Sequence, residues 1–290
     1  MRVAIPEFDT KKELFAYLKS NQKDIISEKK RMPIKADNCS YGCTEIKVND
    51  KSKIGKDVVK MTGQDSSLKE GEAAVKVVGN MHGWCDSYMD VLIKGSADKT
   101  IKDKGASNKQ LLYHLKNHEH TTDGIVGGNV SASVEEMSLK DFNIETDLDT
   151  AEALIVSSIV KKKYDSKAYH LYLDDEIKQH SIGLKYIKIY MCVNSDEDEY
   201  GFEKENWDKY YKQVINKNKV DDKGFFWAVV EYKLLENSCV LYGANELTPV
   251  TEVSKNIEPS DNVKEDTQNI ETEAVHNDTS LTQFLTHLTQ

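Results

Sequence analysis

The segment from Gln179 to Tyr190 constrains the fold of this chain most strongly. It reads QHSIGLKYIKIY, in which a His-Ser-Ile-Gly step leads into an alternation of apolar and polar residues. Successive side chains of a β-strand point to opposite faces of a sheet, so the alternation predicts a buried strand. Ser181 stands at the beginning of this strand. It is either an ordinary turn or capping residue or a candidate nucleophile, and the rest of the sequence has to decide between these roles.

The composition limits the classes of protein that the chain can belong to. Its 290 residues are 39% hydrophobic, which is enough for one real core. The net charge of -10 argues against a nucleic-acid groove and against an anionic membrane as the main partner. The only arginines are Arg2 and Arg31, so the rest of the chain lacks a bidentate guanidinium clamp for phosphate. Many mechanisms of phosphoryl transfer are thereby excluded.

The cysteines and the absence of long apolar runs predict a cytoplasmic location. Five cysteines are an odd and sparse set, which is typical of a reducing compartment. Cys39 and Cys43 are the only close pair, and without a second pair they make a poor zinc signature. No run of about 18 apolar residues occurs, so neither a membrane span nor a secretion signal is expected.

We expect four regions along the chain. Residues 1–69 form an N-terminal helix and a loop-rich stretch, with a capping box at Thr10 opening the helix. Residues 70–250 form the folded core. Residues 251–279 form a disordered acidic linker, because this stretch has no aromatic residue and many acids. Residues 280–290 form a short amphipathic docking helix, or alternatively a frayed tail.

Two further strands can be predicted within the core. Val126 to Met137 alternates loosely around Gly127 and Gly128, as a strand with a bulge or a tight bend would. Ala151 to Val160 is apolar and β-branched, which indicates a buried strand, although a helix is also possible.

Titratable side chains cluster between Asn117 and Gly124, at the end of an apolar run. This stretch contains His118, His120 and Asp123. Three interpretations are open: a polar loop with surface histidines, a metal site built from these three side chains, or a general base at His118, because the pKa of imidazole suits proton transfer near neutral pH. The metal site is the weakest of the three, since no HExxH motif or pair of CxxC motifs is present.

Three acids outside this cluster also stand out. We assign structural roles to Asp86 and Asp90, because acidic side chains in such turns usually cap the turn or lie on a solvated face. Glu236 interrupts an apolar neighbourhood between Lys233 and Tyr242. Its carboxylate must either lie at a strand end in water or be held by a partner such as an imidazole.

Several short motifs occur in a fixed order in the core. They are Trp84-x-Asp86-Ser87-x-x-Asp90-Val91 followed by Gly95, Asn117-His118, His180-Ser181-Ile182-Gly183, Leu235-Glu236-Asn237-Ser238 and Gly243-Ala244-Asn245. Together they resemble the prohead (capsid maturation) proteases of tailed bacteriophages, particularly the group from phages of Bacteroidetes. The resemblance covers about residues 70 to 250.

This resemblance implies a fold and a catalytic site. The fold is an α+β, mostly antiparallel β-barrel flanked by helices, similar to herpesvirus assemblin, with Ser and His on neighbouring strands. Ser181 matches the family nucleophile and His118 the family histidine. Glu236 matches the third member, while His120 and Asp123 stay open for that role because the herpesvirus relatives use a histidine there. No cofactor and no metal are implied.

The oxyanion site must differ from that of the herpesvirus relatives. Those relatives use an arginine near the oxyanion, and this chain has none in its core. Backbone N–H groups beside Ile182 or Gly183, or the side chain of Lys185, would have to stabilise the negative charge instead. The α/β-hydrolases are a poorer match, because the chain lacks their GxSxG elbow.

The function implied by the resemblance is that of a serine endopeptidase of capsid maturation. Its substrates would be the scaffold protein, the scaffold-like region of the major capsid protein and the protease itself, inside the procapsid in the host cytoplasm. Self-association is also implied, and neither nucleic acid nor membrane is an expected partner. The alternatives are a non-enzymatic capsid assembly or scaffold protein with a decayed peptidase site and, third, a metal-dependent hydrolase.

Overall fold

The computed structural model describes residues 5–31 and 67–255, which form helices and one sheet. The α-helices are α1 Lys11–Ser20, α2 Gln22–Arg31, α3 Asp98–Lys104, α4 Ser166–Leu173, α5 Gly201–Tyr210 and α6 Lys217–Lys223. The strands are β1 Glu72–Met81, β2 Asp90–Leu92, β3 Tyr113–Lys116, β4 Ile125–Ser138, β5 Thr150–Lys161, β6 Gln179–Val193, β7 Phe225–Val240 and β8 Val250–Lys255.

The long strand β7 organises the sheet. Its sixteen residues pair with β6 along one edge, and with β2 and then β3 along the other. From β3 the sheet continues through β4, β5 and β1 to β8. The pairs of β7 with β2 and β3 are parallel, and the remaining pairs are antiparallel. The prediction of a mixed fold with a mostly antiparallel sheet is therefore confirmed.

The prediction of a closed β-barrel is wrong. No ladder joins β1 to β6 among the described residues. The segment after β7 lies between these two strands and takes up backbone groups that would have joined them. The carbonyl of Thr248 accepts the N–H of His180 (3.1 Å), and the carbonyl of Pro249 accepts the N–H of Val78 (2.9 Å). Buried backbone donors need such partners, and here a loop provides them in place of a strand.

The predicted strand around Ser181 is confirmed as β6. Leu184, Tyr186 and Met191 on its apolar face are buried in the main hydrophobic core. Helices α1 and α2 cover this core, to which α1 contributes Phe15 and Leu18 and α2 contributes Ile25. Burial of such side chains contributes roughly 1.5–3 kcal/mol each. Packing against the hydrophobic core thus holds β6, the strand that carries the candidate nucleophile, in position.

The N-terminal helix is capped as predicted, but it is two helices. Oγ1 of Thr10 accepts the N–H of Glu13 (3.2 Å) at the beginning of α1. At Asn21 the chain leaves the helical conformation, and the side-chain amide of Asn21 donates to the carbonyl of Tyr17 (2.8 Å). An asparagine that bonds the helix backbone in this way competes with the next helical turn, so α2 begins as a separate helix.

A buried ion pair joins α2 to the sheet. Nζ of Lys29 lies 2.5 Å from Oδ1 of Asp90 and 5.6 Å from the ring centroid of Trp227. Oδ2 of Asp90 accepts the hydroxyl of Tyr186 (2.7 Å). Lys29 and Asp90 are both buried, so each charge depends on the other for compensation. The structural role predicted for Asp90 is consistent with these contacts.

Two of the predicted regions can be compared with the structure only in part. Thr251 to Lys255 belong to β8 and pair with β1, so the acidic linker does not begin at residue 251. Val250 and Val253 explain this difference: they are buried and pair with Val77 and Val75 across a bulge, which brings both to one face of the strand. Residues 32–66 and 256–290, including the predicted docking helix, lie outside the described residues. None of the described helices is long and apolar enough to cross a membrane.

Replacing Lys29 should destabilise the fold strongly. We expect Lys29→Ala to lower the free energy of unfolding by about 3 kcal/mol, because it leaves the carboxylate of Asp90 buried without a cation. Urea unfolding followed by circular dichroism measures this loss. Lys23→Ala is the matched control, since Lys23 is exposed on the same helix and should cost less than about 0.5 kcal/mol. Equal stabilities of the two variants would contradict a structural role for the ion pair.

Candidate functional site

His118 lies where β3 ends against β7. Asn117 and His118 both adopt the left-handed conformation, with φ of 49° and 54°. The N–H of Asn117 donates to the carbonyl of Cys239 (3.0 Å), and the N–H of His118 donates to Oγ of Ser238 (3.1 Å). Left-handed backbone is costly outside glycine and persists only where the surroundings impose it. These two hydrogen bonds to β7 hold His118 in its place.

A buried carboxylate binds the imidazole of His118. Nδ1 of His118 lies 2.6 Å from Oε1 of Glu236, and the two residues are 4% and 2% exposed. Oε2 of Glu236 accepts the hydroxyl of Ser238 (2.7 Å). An ionised carboxylate can only accept hydrogen bonds, so the ring proton of a neutral His118 belongs on Nδ1. Nε2 is then left as an acceptor, and it has no partner among the described residues.

Ser181 lies on the same face of the sheet as this pair. It is directly opposite Ser238 in the antiparallel pairing of β6 with β7. Side chains of opposite residues point to the same face and lie roughly 4.5–5.5 Å apart at Cβ. Ser181 is 6% exposed, and its hydroxyl is not bonded to Nε2 of His118. The structure therefore places Ser181 beside the His118–Glu236 pair without a direct hydrogen bond.

Gly183 makes room for the carboxylate of Glu236. The two residues are opposite each other in the β6–β7 pairing. A Cβ atom on Gly183 would lie 2.1 Å from Oε1 and 2.8 Å from Cδ of Glu236. The carboxylate thus lies directly across β6 at this position. The Gly of the His-Ser-Ile-Gly step is required there because any side chain would displace Glu236.

Gly183→Ala should destabilise the protein through this clash. We expect a loss of about 1–3 kcal/mol in the free energy of unfolding, which is typical of overpacking a buried position. Gly128→Ala is the control, because a Cβ there meets only Cε of Lys161 at 3.7 Å. Its effect should stay within about 0.5 kcal/mol. In a Glu236→Ala background the added cost of Gly183→Ala should fall to that of the control, and additive costs would contradict the proposed contact.

The other candidates for the third catalytic position lie farther from the pair. Nε2 of His120 is 3.7 Å from Oε1 of Glu236, and the side chain of His120 is 37% exposed. Asp123 is exposed on the following turn. Glu236 is thus the candidate that contacts Nδ1 of His118 directly. Within residues 5–31 and 67–255, no group of three or more His, Cys, Asp or Glu side chains could hold a metal ion, so the structure does not gather His118, His120 and Asp123 as ligands.

The backbone next to Ser181 offers an oxyanion donor. The N–H of His180 points away from β7, to the carbonyl of Thr248. Backbone N–H groups of alternate residues leave a strand on the same edge, so the N–H of Ile182 also points away from β7. The N–H of Gly183 accordingly points towards β7. Lys185 is exposed. Of the three donors considered from the sequence, the N–H of Ile182 is the one beside Ser181 on the edge of β6 that faces away from β7.

A second polar cluster lies in the core beneath Ser181, and sequence reasoning missed it. Nδ1 of His114 is 2.6 Å from Oγ of Ser158, and its Nε2 is 2.8 Å from the hydroxyl of Tyr172. The same hydroxyl is 2.7 Å from Nε2 of His180. All these groups are buried. The four residues lie on four separate elements, β3, β5, α4 and β6, so no local pattern in the sequence indicates this chain of hydrogen bonds.

Burial keeps both core histidines neutral. Desolvation lowers the pKa of His114 to about 4. Desolvation and the neighbouring His114 lower the pKa of His180 to about 3. An unfolded chain exposes the same imidazoles to water, where their pKa is near 6.5. The folded state therefore binds fewer protons than the unfolded state between about pH 6.5 and pH 4.

Stability should consequently fall as the pH is lowered through this range. Each of the two histidines contributes a loss of up to about 1.4 kcal/mol per pH unit below pH 6.5, because the unfolded state takes up the proton first. Urea unfolding at pH 7, 6 and 5 measures the slope. His114→Gln should reduce it, whereas His170→Gln should not, since His170 is exposed. If the dependence of stability on pH were the same in His114→Gln as in the wild type, the assignment of this dependence to buried neutral His114 would be contradicted.

The comparisons with known proteins identify no relative. No protein-family model, curated protein sequence or solved structure matches the chain. The resemblance to the prohead proteases therefore stays a prediction.

The arrangement itself can activate a hydroxyl. It provides an imidazole with a fixed tautomer, an unpartnered Nε2, and a serine on the same face of the sheet as Glu236. The expectation that Ser and His lie on neighbouring strands is wrong, because β7 lies between β6, which carries Ser181, and β3, after which His118 follows. Ser238 belongs to the Leu235-Glu236-Asn237-Ser238 motif of the sequence. Only its hydrogen bonds to Glu236 and His118 indicate that it positions both residues.

Proposed function

We propose that this protein is a serine endopeptidase with Ser181 as nucleophile, His118 as general base and Glu236 as the residue that orients His118. The observation that carries the proposal is the buried 2.6 Å contact between Nδ1 of His118 and Glu236, which leaves Nε2 without a partner while Ser181 lies on the same face of the sheet as Glu236. A serine hydroxyl is a weak nucleophile and needs such a base. A carboxylate on the far ring nitrogen fixes the tautomer and stabilises the imidazolium.

The reaction follows from these positions. Nε2 of His118 takes the proton of Ser181 as Oγ attacks the carbonyl carbon of the scissile peptide bond. The N–H of Ile182 stabilises the oxyanion that forms. The C–N bond then breaks, and His118 gives its proton to the leaving amine. Water attacks the acyl-enzyme in the same way and releases the acid. A rotation of the Ser181 hydroxyl towards Nε2 must come first, since catalytic hydrogen bonds often form only when substrate is bound.

The substrate and setting of the proposal rest on the resemblance to prohead proteases. The substrates would be the scaffold protein and the scaffold-like region of the major capsid protein, together with the protease itself. Cleavage would take place inside the procapsid in the host cytoplasm, with self-association of the protease. The likeness to the herpesvirus assemblin fold belongs to the same proposal, with the sheet of this chain left open between β1 and β6.

Co-expression with the major capsid and scaffold proteins of the same phage tests the proposal. We expect wild-type protein to cut the scaffold or itself, and Ser181→Ala to leave every chain whole, as measured by intact mass. Ser133→Ala is the matched control, because Ser133 is exposed on β4 and should leave cleavage unchanged. Glu236→Gln should retain the fold but lower the rate by roughly 10²–10⁴-fold through loss of the fixed tautomer.

Covalent labelling separates the peptidase from its rival. A fluorophosphonate probe should label the wild type at Ser181 and fail to label His118→Ala. Equal behaviour of the wild type and Ser181→Ala, with nothing cut and nothing labelled, would overturn the peptidase proposal. The function would then be that of a non-enzymatic capsid assembly protein with a decayed site.

A further inference from the structure

A groove opens beside Ser181, at the gap between β1 and β6. It is lined by residues of β1, β2 and β6, of the turn before β2 and of the segment after β7. Among them, Asn80, Asp86, Leu92, His180 and Leu184 line the groove together with Ser181. Part of its empty space is open to solvent. A chain segment bound at Ser181 can therefore direct a side chain into it.

Two buried polar atoms in the lining have no partner among the described residues. They are Oδ1 of Asn80, whose residue is 9% exposed, and Nδ1 of His180, whose residue is fully buried. Buried polar groups are nearly always hydrogen-bonded, so each such exception requires an explanation. An amide oxygen can only accept a hydrogen bond. A donor on the occupant of the groove would therefore satisfy Asn80.

Asp86 adds a carboxylate to the same groove. Its Oδ1 accepts the N–H groups of Tyr88 (2.8 Å) and Asp90 (2.9 Å), and the side chain forms no ion pair with any described residue. Lys29, the nearest buried cation, is already paired with Asp90. Burial and the negative charge of Asp90 raise the pKa of Asp86 to about 7. A second cation in the groove would restore the ionised form.

The hydrogen bonds below His180 are compatible with a cationic donor. If Nδ1 of His180 accepts a hydrogen bond from the occupant, its Nε2 carries the ring hydrogen and donates to the hydroxyl of Tyr172. The hydroxyl of Tyr172 then donates to His114, whose Nδ1–H donates to Ser158. Every group in this direction has one donor for each acceptor. The core network thus accepts a donor at the groove without leaving another polar group unpaired.

From this chemistry we infer that the groove is a subsite for a lysine side chain next to the scissile bond of the substrate, with Asp86 as the residue that selects it. The inference rests on the proposed peptidase function and names its specificity. The apolar walls at Leu92 and Leu184 suit the four-carbon stem of lysine, which packs readily along apolar surface. Its ammonium group carries three donors for the acceptors that the groove presents. A negatively charged side chain would meet Asp86 and be excluded.

Cleavage of a peptide mixture by the full-length protein tests the subsite. Peptides of varied sequence are digested with the wild type and with Ser181→Ala, and the new termini are identified by mass spectrometry. We expect lysine at one fixed position beside the cut. In matched peptides, replacing this lysine by norleucine should lower kcat/KM by about tenfold or more, because one charge-assisted hydrogen bond is lost.

The variant Asp86→Asn isolates the contribution of the carboxylate. Asparagine keeps an oxygen for the N–H groups of Tyr88 and Asp90, so the turn should fold. We expect the preference for lysine over norleucine to fall towards unity, while norleucine peptides are still cut. Asp141→Asn is the control, since Asp141 is exposed and should leave the preference intact.

The possible results distinguish the two proposals. Cleavage that depends on Ser181 but shows no preference for lysine, or a preference that survives Asp86→Asn, overturns the subsite and leaves the peptidase standing. If Asp86→Asn cuts no peptide, its unfolding curve shows why. A folded but inactive variant would assign Asp86 to catalysis and contradict its role in selection. If the variant is unfolded, the comparison of lysine with norleucine peptides in the wild type tests the subsite instead. Absence of any cleavage and of any labelling of Ser181 would overturn both.

Discussion

The contact between Glu236 and His118 is the interaction on which the rest of the site depends. A carboxylate can be buried this deeply only when hydrogen bonds compensate its charge, and here they come from His118 and Ser238. Its position dictates a glycine at residue 183 of the neighbouring strand, where a Cβ atom would collide with it. It also fixes which nitrogen of His118 is left as a free acceptor. The position of this carboxylate thereby determines both the glycine on the neighbouring strand and the nitrogen of His118 that is left as an acceptor.

Much of the fold could be predicted from short-range patterns, and the remainder depends on long-range packing. The strand around Ser181, the strand from Ala151 and the bulge near Gly128 were all visible in the alternation of side chains, and β6, β5 and the register shift of β4 confirm them. Closure of the sheet was predicted wrongly, because no local pattern shows that the segment at Thr248 lies between β1 and β6. The break at Asn21 was missed for a similar reason, since helical periodicity continues on both sides of it.

The candidate site could likewise be predicted only in part from the sequence. Residue chemistry pointed to Ser181, His118 and Glu236, and the structure brings the last two into contact and the first onto the same face. Pattern alone left His120 and Asp123 open, because their positions relative to Glu236 depend on how the chain turns after β3. Ser238 and the core histidines were given no role, since a hydrogen bond between residues over a hundred positions apart leaves no trace in one sequence. These roles became visible only from contacts in the folded structure, because the spacing of the residues in the sequence does not indicate them.

The loop that keeps the sheet open also affects the order in which the molecule is assembled. The strand carrying Ser181 receives a backbone partner from Thr248, some seventy residues later in the chain and close to the end of the described core. A nascent polypeptide leaves the ribosome from its N-terminus, so β6 emerges long before this partner exists. The edge of the strand beside Ser181 therefore cannot be completed before residue 248 has been synthesised. A chain that has grown only to Glu236 holds all three candidate catalytic side chains but not yet this backbone partner of β6.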